Sequence, residues 1–144
     1  MKMKMLPNTE DASVIRTDFE SQRVWETIRD LTVAPMNEGA TVFCAYVEFV
    51  DDSEFRDLTL SELLTRVPND FPHSFLFVVD KTSTQHPEFP ILIVDLRHER
   101  GRTFRAIPSQ IQGIENNLSI SNMDFSNFAD SVDKDGVFRG FSNP

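Results

Sequence analysis

The stretch Ser74–Asp80, SFLFVVD, places only apolar side chains between its serine and its aspartate, so neither alternating face offers a polar row to water. A strand of that composition needs cover on both sides, as strands in α/β sheets have. Upstream, Thr41–Val50 reads TVFCAYVEFV, rich in β-branched and aromatic residues on both faces and broken only by Glu48. It too reads as a central strand covered on both sides. Between the two, Thr59 and Glu62 have capping-box spacing ahead of Leu60, Leu63, Leu64 and Val67, and Pro68 closes the segment as a short helix. Earlier still, Val14, Ile15 and Arg16 begin a strand. Thr17 and Glu20 repeat the capping spacing, and Val24, Trp25, Ile28 and Leu31 recur at helical intervals, predicting a helix from about Phe19 to Leu31. Pro35, Asn37 and Gly39 make the following stretch a loop. Strand, helix, strand, helix, strand in that order is the signature of parallel crossover units.

Beyond Asp80 the pattern changes. Ile91–Leu96 and Thr103–Ile107 read as strands joined by a short turn around Gly101, with no room for a crossover helix, so they pair antiparallel. Pro108 and Ser109 open a third helix through Ile111, Ile114 and Leu118. Asp124 caps a fourth in which Phe125, Phe128, Ala129 and Val132 share a face. The expected fold is therefore α/β: a mixed five-stranded sheet, parallel in its first half and antiparallel in its second, with helices packed on it. Residues 1–11 form a polar N-terminal arm, and 12–144 a single α/β domain, a size at which one core suffices.

Lysine and arginine number 14 against 23 aspartates and glutamates, a formal net charge of −9 that repels phosphate backbones. Nucleic acid is not an expected partner. The densest basic stretch, Arg97 to Arg105, coincides with the antiparallel hairpin, whose exposed positions need solvating groups. The single Cys44 has no intramolecular disulfide partner, and no apolar run approaches the roughly 20 residues that cross a bilayer. A cytoplasmic protein without membrane attachment is the expectation.

Asp18, Asp51, Asp52 and Asp80 each fall just after an expected parallel strand, at the edge where open α/β sheets bind ligands. Converging there, they are candidate ligands for magnesium or calcium, and Asp18 and Asp80 are candidate catalytic groups. The plainer reading is that aspartate is common where strands end in turns. Glu48, a carboxylate inside a strand expected to be buried, must be paired, hydrogen-bonded or protonated. Arg16 is its expected ion-pair partner, a catalytic acid is the alternative, and a sheet open on that face would leave Glu48 in solvent. The segment Ser131–Gly136, SVDKDG, imitates part of a calcium loop, but Ser131 and Ser142 stand where the strong ligands belong, so it reads as a tight turn. His73, His86 and His98 lack metal-ligand spacing, and Cys44 reads as an inert thiol. Neither a nucleophile elbow nor a phosphate-binding glycine loop occurs, and no cofactor is expected.

Several stretches carry a resemblance together: LPNTED at Leu6–Asp11, VIRTDF at Val14–Phe19, YVEFVDD at Tyr46–Asp52, FLFVVD at Phe75–Asp80, GRTFRAIPS at Gly101–Ser109, ENNLSISNMDF at Glu115–Phe125 and DGVFRGF at Asp135–Phe141. The chain resembles a family of small, mostly bacterial proteins classed as a domain of unknown function, family 6924. The resemblance spans nearly the whole sequence and implies one domain. It brings no activity and no catalytic residue.

Within these bounds the favoured expectation is a non-enzymatic, acidic protein-binding module of inhibitor or immunity type, covering a basic protein partner. The rival is a small divalent-metal-dependent hydrolase or phosphoryl-transfer enzyme built on the strand-end aspartates with Glu48 as acid or base. The third is an accessory structural subunit. The apolar C-terminal segment around Phe138 and Phe141 is expected to dock on its own domain.

Overall fold

The computed structural model describes residues 3–38 and 41–141. Gly39 of the expected loop and Ser142 of the calcium-like segment lie outside them. The elements in chain order are β1 (Ala12–Arg16), α1 (Gln22–Val33), β2 (Met36–Glu38), β3 (Thr41–Phe43), β4 (Val47–Val50), α2 (Leu60–Thr65), β5 (Phe75–Val79), α3 (Lys81–Gln85), β6 (Ile91–Asp95), β7 (Thr103–Ala106), α4 (Ile111–Ser119), α5 (Phe125–Ala129) and β8 (Val137–Phe138).

The main sheet runs β4-β1-β5-β6-β7-β8. β4, β1 and β5 are parallel, and β5, β6 and β7 follow antiparallel. The sheet thus has six strands rather than five. The extra one is β8, which pairs parallel with β7, Arg105 opposite Val137 and Ala106 opposite Phe138. With only two residues it shows no alternation to read; its place is set by the turn at Gly136, whose φ of +82° suits glycine, and by burial of the Phe138 ring. Arg139 then bonds Glu88, Asp133 and Asp135, fastening the C-terminal segment to its own domain. SVDKDG is the turn preceding it, with the Gly136 amide donating to the Asp133 carbonyl.

β5 lies inside the sheet and every residue of it is buried. Phe75, Phe77 and Val79 join one core with Trp25 and Ile28 of α1, Ile111 and Ile114 of α4, and Phe125 and Phe128 of α5. Leu76 and Val78 join a second core with Leu63 of α2, Phe55 and Leu6. Helices therefore cover both faces, as the double-sided apolar run demands. Leu6 draws the N-terminal residues onto the second core, and its amide donates to the Arg66 carbonyl.

The run Thr41–Val50 is not one central strand. It is cut at Cys44–Tyr46: β3 pairs with β2 in a separate two-stranded ribbon, and β4 is the margin of the main sheet. Val47 and Phe49 lean on the α1 side, half-buried, while Glu48 on the opposite face is exposed. Periodicity cannot separate a long buried strand from two short ones whose apolar groups serve different neighbours. α1 also begins later than expected, because Ser21 rather than Thr17 caps it, accepting from the Val24 amide at 3.2 Å. The capping box of Thr59 and Glu62 is formed in full. No helix among the described residues is long and apolar enough to cross a membrane.

The centre and the margin of the sheet should differ in energy. Phe77→Ala should cost about 3–5 kcal/mol of unfolding free energy and Phe49→Ala clearly less. Equal losses in urea denaturation would contradict the placement of β5 at the centre and β4 at the edge.

Candidate functional site

From β1 the chain crosses by α1 on one face to β4, then returns by α2 on the other face to β5, on the far side of β1. The order of connection reverses between β1 and β5, and the loops leaving their C-terminal ends part there. In open α/β sheets that parting forms a crevice suited to ligands. Here it is a cavity of about 260 Å³ lined by Thr17, Asp18, Asp57, Leu58, Asp80, Lys81 and Thr82.

Backbone bonds define its walls. The Thr17 amide donates to the Val79 carbonyl at 3.0 Å, and the Asp57 amide to the Thr17 carbonyl at 2.8 Å, so the loop after β4 folds over the end of β1. Asp57 adopts a left-handed backbone, φ +58°, which aspartate tolerates better than most residues.

The aspartates selected from sequence all stand at this edge, each with a partner from the protein itself. Asp18 is buried and accepts from the Thr84 hydroxyl at 2.5 Å. Asp51 pairs with Arg16 at 3.2 Å. Asp52 caps the 3-10 turn Ser53–Phe55, accepting from the Glu54 amide, and pairs with Lys4, whose ammonium holds its carboxyl below the ordinary value. Asp80 caps α3 and receives both arms of Arg105, at 2.9 and 2.7 Å. Burial pushes the Asp80 carboxyl up, but the Arg105 guanidinium, with Ser83, outweighs it and holds the group low. Asp18 and Asp80 share the crevice; Asp51 and Asp52 stand outside its lining.

Glu48 does not pair with Arg16. It sits on the edge strand with its face open and accepts from the Asp11 amide at 2.9 Å. Arg16 is buried instead between the Phe19 and Trp25 rings, 4.3 and 5.1 Å from their centroids. It donates to the Asp18 carbonyl, the Gln22 side chain and Asp51, so the buried charge is satisfied on several sides.

His73 binds the Thr9 carbonyl, the His86 ring accepts from the Glu88 amide, and His98 is exposed. Cys44 is half-buried. Among the described residues no group of His, Cys, Asp and Glu gathers as a metal site. The basic stretch does not form one patch: Arg97 and Arg100 are exposed, whereas Arg102 pairs with Glu99 and Asp130, and Arg105 with Asp80.

The family comparison covers these strands and loops together. The profile of Domain of unknown function (DUF6924) matches residues 11–141. The chain belongs to this family. A search of curated proteins finds no match. The matched span takes in β1 through β8, so the crevice, its aspartates and Arg105 all lie within the family domain.

Sequence reasoning missed α3, Arg105 and Glu115. The Asp80–Ser83 spacing, a reciprocal cap, was the available sign of α3. Glu115 lies four residues after Ile111 and three before Leu118, on the apolar stripe of α4. Burial pushes its carboxyl up, and it accepts from the Ser119 hydroxyl at 3.3 Å.

A depressed aspartate contributes stability above its unfolded pKa of about 3.9, and that contribution is lost as pH falls through the lower folded value. Asp80→Asn removes it. The fall in unfolding free energy between about pH 4 and pH 2 should therefore be shallower in that variant. An unchanged acid slope would contradict the Arg105–Asp80 account.

Proposed function

We propose that this protein is a non-enzymatic binding module for a basic protein, of the inhibitor or immunity type, acting in the cytosol. The observation that carries the reading is the distribution of charge. The chain has a net charge of −9, and many of its described cations are spent internally: Lys4, Arg16, Lys81, Arg102, Arg105 and Arg139 all pair with its own carboxylates. Exposed acids such as Glu10, Glu48, Glu54 and Asp57 have no described cation within ion-pair distance. The field left for a partner is negative, which steers and accelerates encounter with a basic surface. The single cysteine suits a reducing compartment.

Capture at low salt from source-organism lysate, followed by titration with the purified partner, tests this. A basic protein should bind with near-stoichiometric yield, and its Kd should weaken at least about tenfold between about 50 and 300 mM salt. Recovery of no basic protein at low salt would overturn the reading.

The shared crevice of Asp18 and Asp80 favours a second reading: a divalent-metal-dependent hydrolase or phosphoryl-transfer enzyme using Asp18, Asp51, Asp52 and Asp80, with Glu48 as acid or base. Since these aspartates are engaged by Thr84, Arg16, Lys4 and Arg105, we expect millimolar magnesium or manganese to leave the Tm unchanged. A rise in Tm abolished by Asp18→Asn would reverse the order of the two readings.

A further inference from the structure

We propose that the open edge of β4 is the docking surface, and that its occupant is an extended segment of the basic partner in which lysine or arginine alternates with apolar residues. The inference rests on the binding-module reading above and names where binding happens. Among the described residues β4 pairs with β1 alone, so the backbone groups along its outer side have no partner strand. The β2–β3 ribbon pairs within itself and does not extend the sheet. An edge of this kind accepts an added strand, whose main-chain hydrogen bonds give affinity while alternate side chains give specificity.

The side chains along β4 set which segment fits. Glu48 is exposed on one face, and Tyr46, at the same alternation, is 68% exposed. On the other face Val47 and Phe49 are half-buried against the first core. The Arg29 guanidinium stands 5.0 Å from the Phe49 ring, placing a positive charge on that side. A cation on the incoming strand is thus favoured beside Glu48 and disfavoured beside Phe49, where an apolar residue extends the half-buried surface. Glu54, exposed and without a described cation within ion-pair distance, adds negative charge past the end of the strand. The strand is held in place, because Glu48 accepts from the Asp11 amide at 2.9 Å. A second copy of the chain is a poorer occupant, since pairing β4 with itself brings the exposed Glu48 carboxylates of both copies onto one face of the seam.

The probe is a short peptide alternating lysine and valine, with a control of equal charge carrying a central proline. Titration at low salt, read by fluorescence polarisation and by hydrogen exchange of the protein, should show binding of the first peptide, weaker binding of the second, and new amide protection at Val47–Val50. Glu48→Gln keeps an oxygen for the Asp11 amide, so it should fold normally and weaken the peptide about fivefold. Glu99→Gln, which removes one exposed acid at the far hairpin, should leave affinity unchanged. Equal losses in the two variants, equal binding of the two peptides, or protection elsewhere would overturn the edge assignment while a salt-sensitive basic partner still stood. Absence of peptide binding would overturn it too, and the lysate capture then decides separately whether the binding reading survives.

Discussion

The run Phe75–Val79 has no polar side chain to give to water, and the rest of the molecule is arranged around that constraint. Its odd members enter one core and its even members the other, so helices are required on both faces and strands on both sides. At about 25 cal/mol per Å² of apolar surface removed from water, this burial is the main source of stability for the fold. The same constraint makes the C-terminal end of β5 a junction. Asp80, the first polar group after the run, caps α3 and binds Arg105 from two strands away, while Arg105 and the Ser83 hydroxyl both reach the Pro90 carbonyl. One bidentate pair thereby ties the parallel half of the sheet to the antiparallel half.

The charge pattern follows from that architecture. Where the parallel strands end, aspartates terminate the runs and are matched by cations or hydroxyls from other parts of the fold: Lys4 from the N-terminal residues, Arg16 from β1, Thr84 from α3 and Arg105 from β7. These groups are where a ligand or metal site would be sought in a doubly wound sheet, yet their geometry is that of ties. Exposed acids without such a described partner include Glu48 on β4 and Glu54 and Asp57 in the loop beyond it, together with Glu26 and Asp30 on α1, Glu62 on α2 and Asp124 before α5. On the proposed binding function, the carboxylates tied into the fold and those left for a partner are separate sets.

What could be read in the sequence was what local pattern encodes. The double-sided run before Asp80, the cap at Thr59, the hairpin around Gly101 and the helices opened by Pro108 and Asp124 each carry their signal within a few residues, and the structure has them. The edge position of β4 was hidden because its neighbours in sequence, Thr41–Phe43, are apolar for a different reason, pairing in the ribbon. β8 was hidden because two residues have no period. At the site, sequence placed the aspartates at the right edge but could not say what held them. Arg105 is 25 residues from Asp80, and Thr84 is 66 from Asp18, so these pairings are products of topology rather than of spacing. Glu48 failed as a buried partner for Arg16 for the same reason: it stands on a strand with one side unpaired.

The central claim is that the strand-end carboxylates serve the fold, which on the proposed function leaves the surface excess of acid for a partner. A double-mutant cycle on Asp80→Asn and Arg105→Met, read as unfolding free energy at neutral pH, tests it most directly. Direct coupling predicts that the double variant loses clearly less stability than the sum of the two single losses. Additive losses, or single variants as stable as the parent, would show that Asp80 is not bound into the structure by Arg105 and would return it to the candidates for chemistry.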